Sequence, residues 1–507
     1  MAVVVGPILG FRGVADGTWR TSALVVTGGD GDAPELSWFA EDEDASNEEP
    51  VQAQRVHLKS FKGRDVWRFD WGVEQKGSER RIGYHVLGED ERYSYSVPAN
   101  GRPPRIAYES CAGFSSLKEL KAVKDKNAMW KTLAAQHRRK PFHLMISGGD
   151  QIYADLVWDV VRPLRSWLEE RFDVFEDWER EEFTHEMRAA AEDFYFDLYL
   201  QRWGQPEIAP VLSQVPSMMM WDDHDIFDGW GSHPQEQQGS PIFEGIFEQA
   251  REHFVLFQLQ SNVAELPPAT LPRQRGFSYA HQIGELAIAV LDMRSERTQQ
   301  QVMSLEAWNA LRDWMHEELN GCRHLLLVSS IPVVYVNATL VETVFGIVPG
   351  SQDLEDDFKD QWLSRSHQEE RLRLIHRLLD FSRESRCRVT IVSGDVHLAA
   401  SGYIQSAREG FPHEEENVVN QLISSGIVHP PPPGLIVAAM ERVMGEAVEE
   451  VDRGIIARMT RFPFTDQHFV PKRNWLSLEV DEQDRIWAKW YVEGEPEPYT
   501  KVVHPID

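Results

Sequence analysis

The chain has 507 residues, 42% hydrophobic and 26% charged, and its 52 Lys+Arg against 81 Asp+Glu leave a formal net charge of −29. That length exceeds what one hydrophobic core usually serves, so one large and one smaller domain are expected. The acidic balance excludes a broad nucleic-acid-binding face, because its field repels a phosphate backbone. A small phosphorylated substrate stays compatible, since bound cations reverse the field locally. Three cysteines, Cys111, Cys322 and Cys387, stand far apart in the chain; they make no disulfide framework and fit a reducing compartment. Residues 1–13 carry no basic leader, their apolar run is broken by Gly6 and Pro7, and no window offers about 20 consecutive apolar residues. A soluble, cytoplasmic chain without a membrane partner is expected; its oligomeric state is not legible.

In chain order, residues 1–98 contain short alternating segments at 22–26, 66–69, 81–87 and 93–97, which predict a small all-β, sandwich-like N-terminal domain. The acidic run from Glu41 to Glu49 reads as a solvated hairpin loop, and Asn100 to Pro104 as a linker. A second domain is expected over 104–507. It opens with a strand at 105–108, a helix at 127–137 and a buried strand at 142–147 that runs into Gly148-Gly149-Asp150. An insertion over about 155–205 has the apolar spacing of amphipathic helices, its many Trp and Phe facing the core. A strand at 218–221 leads straight into Asp222-Asp223-His224-Asp225. Helical spacing returns at Leu305, Trp308, Leu311, Met315 and Leu319, and at Leu372, Ile375 and Leu379, followed by strands at 325–329 and 389–392. Segments 475–480 and 486–492 form a terminal hairpin about a turn containing Gln483. This α/β alternation predicts two packed sheets covered by helices.

Two apolar strands end alike, in Ser-Gly-Gly-Asp at Asp150 and in Ser-Gly-Asp at Asp395, and a third ends in Trp-Asp-Asp-His at His224. Ligands gather beyond the carboxyl ends of strands in open α/β sheets. Glycine lets the chain turn sharply there, so the next carboxylate points into a shared crevice. Asp150, Tyr153, Asp222, Asp223, His224, Asp395 and His397 are therefore expected at one place. Clustered carboxylates repel unless cations sit between them. A donor set of Asp, His and phenolate suits hard or borderline metals. Two ions roughly 3.5–4 Å apart can share a carboxylate and a hydroxide that is nucleophilic at neutral pH.

Gly149-Asp150-Gln151-Ile152-Tyr153, Trp221-Asp222-Asp223-His224-Asp225 and Ser393-Gly394-Asp395-Val396-His397 resemble the three motif blocks of PhoD-like (alkaline phosphatase D) metallophosphatases of the calcineurin-like superfamily. Ser110-Cys111 and Asp292-Met293-Arg294 add to the likeness, which spans about 104–507. The resemblance implies a four-layer αββα sandwich behind a small β domain. It also implies phosphate ester hydrolysis by a metal-bridging hydroxide, on Fe3+ plus a divalent ion such as Ca2+, Mn2+ or Zn2+. By the same resemblance Asp150 bridges the metals, and Cys111, Tyr153 and His397 lie on the iron side. Asp223 holds the second ion, and Asp395 stands where the superfamily has a His. His224 is the general acid or charge stabiliser beside Asp222, and Arg294 grips phosphate oxygens with its planar fork.

The sequence departs from that pattern in places. The superfamily's opening Asp-x-His is missing; 105–111 offers Glu109 and Cys111. No His follows Arg294 on a strand; Ser329 and Ser330 stand at that place, with Asn337 further on, and Asp225 replaces a frequent Glu. Arg297 is expected either to assist Arg294 or to make a surface ion pair. His367 reads as a helix-entry residue, and His429, ahead of Pro430–Pro433, as a residue at the cleft mouth or in a stiff loop. Monoester and diester hydrolysis are both open. A metal-stabilised scaffold without turnover and a non-phosphate ester or amide hydrolase are the competing classes.

Overall fold

The computed structural model describes residues 2–29, 33–41, 49–171, 181–272, 275–335, 362, 367–408, 417–444 and 448–506. Asn337, most of the acidic run at 41–49 and part of the insertion (172–180) lie outside them.

Runs of β-branched and aliphatic residues build two large sheets. The first has ten strands. Its centre is Ile106–Glu109, Leu144–Gly148 and Ser217–Met220, mutually parallel. The terminal strands Asn474–Val480, Ile486–Val492 and Tyr499–Val503 extend one side, the hairpin being the one expected. The second sheet has a parallel heart of Leu286–Val290, His324–Val328, Arg388–Ser393 and Val418–Ser424. Its strands alternate between two cores, as the two-residue period of a strand requires. Ile288, Val290, Leu326, Val328, Val392 and Leu422 join the core shared with the first sheet. Ala287, Ala289, Leu325, Leu327, Val389 and Ile391 pack instead with helices Leu305–Asp313 and Gln368–Ser385. Helices Ala128–Arg139, His185–Trp203 and Pro241–Phe257 bury their apolar sides in the core that the first sheet shares. Among the described residues, no helix is long and apolar enough to cross a membrane.

The described residues of the N-terminal segment form strands and turns, and they do not stand apart. Strands Ala2–Ala15, Thr18–Gly28, Arg64–Glu74 and Gln54–Phe61 continue the ten-stranded sheet, while Leu36–Ala40, Val51–Gln52, Arg80–Val86 and Tyr93–Val97 form a four-stranded sheet. The two face each other across Trp71, whose Nε1–H donates to Tyr95 Oη at 2.8 Å. The junction is Gly10 opposite Ser217 in a parallel pair, reinforced by Ser217 Oγ–H on Leu9 O at 2.7 Å. Gln260 adds a second tie: its Nε2 donates to Ile8 O at 2.9 Å and its Oε1 accepts from Ser22 Oγ at 2.7 Å. Residues 98–104 connect strand Tyr93–Val97 of the four-stranded sheet to Ile106–Glu109 of the ten-stranded sheet, which takes strands from both sides of that segment. Residues 2–15 read as an interrupted apolar run because a strand covered on both faces has no alternation to show.

The second sheet's helical layer is pinned by one carboxyl. Glu370, buried in helix Gln368–Ser385, accepts from Val302 N at 3.0 Å, Met303 N at 3.2 Å and Trp308 Nε1 at 3.0 Å. Removing it strands three buried donors, each of which costs on the order of 1–3 kcal/mol. Glu370→Ala is expected to destabilise the fold by about 3 kcal/mol; thermal unfolding followed by circular dichroism checks this, and an unchanged midpoint contradicts it.

Candidate metal centre

The parallel strands of both sheets deliver their carboxyl ends to one place, and backbone hydrogen bonds lock those ends together. Cys111 N–H donates to Gly149 O at 3.1 Å and Ala112 N–H to Asp150 O at 2.8 Å, joining the first two motif loops. Across the sheets, Ile427 N–H reaches Ser110 O at 3.0 Å and His429 N–H reaches Cys111 O at 3.1 Å.

Five of the expected ligands sit on left-handed backbone: Cys111, Asp150, Tyr153, Asp395 and His397, with φ of 55°, 59°, 54°, 68° and 53°. Non-glycine residues seldom adopt that region, and such strain clusters at ligand sites. Asp223 and His224 are aimed differently, by the short 3₁₀ turn Asp223–Asp225. Asp225 braces that turn, accepting from Asp222 N at 3.2 Å and Ile152 N at 2.8 Å. It acts as a cap, and this gives the Glu-to-Asp departure its local role. Gly149 has φ of 122°, and a Cβ there would stand 2.8 Å from Asp222 Cβ and 3.3 Å from that of Ser330. No side chain fits.

Among the described residues three groups of donor atoms result, each with its atoms within 4.8 Å of one another: Cys111, Asp150 and His397; Asp150, Asp223 and His224; and Asp222, Asp223 and Asp395. Asp150 belongs to the first two. Its Oδ1 is buried and accepts no hydrogen bond. Burial pushes the Asp150 carboxyl, the Cys111 thiol and the Tyr153 phenol well above their ordinary pKa values, and pushes the His397 imidazole well below its own. Each is thereby driven toward its neutral form. A cation reverses the balance for the acids and takes the neutral His397 as it stands. The donor set fits metal ions.

From sequence, Arg294 is expected on phosphate oxygens. In the structure it is fully buried and its fork is turned to protein: Nε bonds Asp222 Oδ1, Nη2 donates to Asp223 Oδ1 at 3.1 Å and Nη1 to Trp230 O at 3.0 Å. The cause is local charge, because adjacent buried carboxylates need a permanent counter-charge more than the cleft does. Ser330 Oγ–H adds a bond to Asp222 Oδ1 at 2.9 Å, which gives the position without a His a part in the site. Asp292 is a scaffold residue, accepting from Trp221 Nε1 at 2.9 Å and Phe277 N at 2.8 Å.

His224 stands between Asp155, whose Oδ1 lies 2.9 Å from Nδ1, and the ring of Tyr153, stacked at 4.6 Å between centroids. Burial presses the imidazole toward neutrality, but Asp155, Asp223 and Asp150 outweigh it and raise its pKa well above the ordinary value. Tyr153 Oη lies 3.3 Å from His397 Nε2. His429 stacks on His397 at 3.6 Å between centroids and on Tyr153 at 5.5 Å. It lines the cluster rather than a remote loop.

Asp155 and Ser425 escape the motif reading. Ser425 Oγ lies 3.0 Å from Cys111 Sγ and accepts from His397 N at 2.9 Å. Its signal is present in the sequence: Ser424-Ser425-Gly426 closes a strand as the other blocks do. Arg297 is buried, with Nη2 3.5 Å from His367 Nδ1. His367 stands at the N-terminal entry of helix Gln368–Ser385, without a side-chain bond to its first turn. Glu109 is buried, its carboxyl pushed up to about 8 by burial, and it joins none of the donor groups.

Gly149→Ala is expected to push Asp150 and Asp222 out of register and lower metal content at least tenfold, by analogy with the 10–100-fold effect of disturbing a ligand's supports. Elemental analysis of the purified variant tests this; wild-type metal content contradicts it.

The family model for PhoD related phosphatase matches residues 92–349 and 338–445. A protein of Saccharomyces cerevisiae, described as uncharacterized protein YGR266W, is 26% identical over 527 residues, covering 87% of this chain and 75% of its own. The solved structure titled "Structure of PhoD" superposes with a TM-score of 0.60 at 14% identity, covering 98% of this chain and 88% of that one; it shows a shared fold. The matched segments take in all three motif blocks and most of the chain, which belongs to the PhoD related phosphatase family.

Proposed function

We propose that the chain is a binuclear-metal phosphoric ester hydrolase. The observation that carries this reading is Asp150, the one carboxylate common to two adjacent three-donor groups, Cys111/Asp150/His397 and Asp150/Asp223/His224. A shared carboxylate is the arrangement that two closely spaced ions require. The first group, with the Tyr153 phenol beside it, suits Fe3+, and Asp150 with Asp223 from the second suits a divalent ion such as Ca2+, Mn2+ or Zn2+, leaving His224 as the acid. Asp222, Asp223 and Asp395 offer a further set. Bound ions would activate water and offset the charge on phosphoryl oxygens. The helix, sheet, sheet, helix order of a four-layer sandwich is the reading of the layers that the two alternating cores support.

The chain's own residues supply the rest. Asp155 holds His224 Nδ1, which orients the ring and leaves Nε2 for the departing alcohol oxygen. Arg294 fixes Asp222 and Asp223 rather than gripping substrate. A net charge of −29 supports a small phosphorylated substrate, monoester or diester, over a polyanion. A scaffold without turnover has no use for the His224–Asp155 pair.

Asp150→Asn and Asp223→Asn are each expected to abolish phosphoesterase turnover and reduce metal content while unfolding stays cooperative. Elemental analysis with a panel of mono- and diesters decides it; wild-type turnover and metal content in both variants overturn the reading. An absorption spectrum of the iron-loaded wild type tests the iron assignment, through a visible charge-transfer band that Tyr153→Phe removes.

His224→Ala should slow esters of poor leaving groups by about 10²–10⁴-fold and activated aryl esters far less. Asp155→Asn should reproduce that selectivity in milder form. Equal losses on both ester types would assign His224 to charge stabilisation instead.

A further inference from the structure

Two of the three cysteines, Cys322 and Cys387, meet far from the metal centre. They are 65 residues apart in sequence, yet their sulfurs lie 3.3 Å from each other. Cys322 just precedes strand His324–Val328 and Cys387 just precedes Arg388–Ser393, neighbours in a parallel pair with His324 opposite Arg388. Arg388 N–H donates to Arg323 O at 2.9 Å, so the backbones are already joined beside the thiols. Neighbouring strands run about 4.8 Å apart, inside the Cα separation of roughly 4.4–6.8 Å that a disulfide spans. A sulfur–sulfur bond of about 2.05 Å therefore needs an approach of little more than an ångström. Cys111, at the opposite strand ends, has Asp150 and Ser425 beside its sulfur.

We propose that Cys322 and Cys387 are a redox modification site, a dithiol that a hydroperoxide converts into a reversible disulfide stapling the starts of two central strands. Cys322 is the entry point, 7% exposed where Cys387 is fully buried. Its sulfur already accepts the Cys387 thiol hydrogen bond, which lowers its pKa and raises that of its partner. The Cys322 sulfur attacks one peroxide oxygen, the O–O bond breaks, and water leaves, with a sulfenic acid on Cys322. The Cys387 sulfur then attacks the Cys322 sulfur, the S–O bond breaks and a second water leaves. Two thiols and one hydrogen peroxide become one disulfide and two waters; the sulfurs lose two electrons in all and the peroxide gains them. A dithiol reductant reverses it by exchange. The link closes a long loop and so restricts the unfolded chain, which raises resistance to heat.

The test uses the full-length protein, reduced and then treated with hydrogen peroxide. The wild type should lose two hydrogens in intact mass and yield a peptide pair linked through Cys322 and Cys387. It should unfold at a higher temperature than the reduced form, and dithiothreitol should undo all three changes. Cys387→Ser should show no link and no rise in midpoint, and should carry a sulfenic acid at Cys322 that dimedone captures. Oxidised wild type in which both thiols still alkylate, or gain oxygen without linking, overturns the proposal. So does a link through Cys111, or a link with no rise in midpoint. The wild-type measurements need no variant, so a poorly folding Cys387→Ser leaves the test intact.

Discussion

Acidic groups crowd into a volume from which water is largely excluded, and the arrangement around them answers that crowding. Asp150, Asp222 and Asp223 are all buried beyond the ends of parallel strands. Arg294 meets part of the demand: its guanidinium is charged at any accessible pH, and its fork spans Asp222 and Asp223 together. Asp150 lies outside that pairing and keeps one oxygen free of hydrogen bonds. A desolvated carboxylate of this kind is stable only beside positive charge, or protonated. The same balance governs Cys111 and Tyr153, whose ionised forms burial opposes. One electrostatic condition thus selects the residue types at the site and the arginine behind it.

Holding these groups in place is a backbone problem as much as a side-chain one. Five left-handed residues cost on the order of 1–3 kcal/mol each, and they persist only where their surroundings leave no alternative. The loops supply that over-determination to one another: 111 is bonded to 149, 112 to 150, 427 to 110 and 429 to 111. Asn474 adds a brace from the terminal hairpin, accepting from Ser424 Oγ at 2.6 Å and donating to Ser425 O at 2.7 Å. The C-terminal strands therefore stiffen a centre to which they contribute no donor.

What could be read from sequence follows the same physics. Strands that feed the site were legible because an apolar run closed by Gly and Asp has few other readings, and 93–97 and 486–492 match the observed bounds. Side-chain direction was not legible. Arg294 sits in the expected motif yet turns toward Asp222 and Asp223, a choice set by charges that only tertiary structure places beside it. Asp155 carries no unusual pattern of its own; its role comes from a partner 69 residues away. The first strand was hidden for a different reason, since burial on both faces erases the alternation that marks a strand.

The parallel junction between Gly10 and Ser217 bears on how such a chain is made. During synthesis the first strand leaves the ribosome some two hundred residues before its partner, and meanwhile one edge has no neighbour to pair with. Contacts this distant in sequence form late, and exposed strand edges invite pairing with other chains. The hairpin of Ala2–Ala15 with Thr18–Gly28, and beyond it Arg64–Glu74, gives the nascent segment a local sheet in which to wait. A fragment beginning at the first motif would have no such shelter: Ser217–Met220 would become a bare edge of the very sheet that presents Asp150 and Asp223.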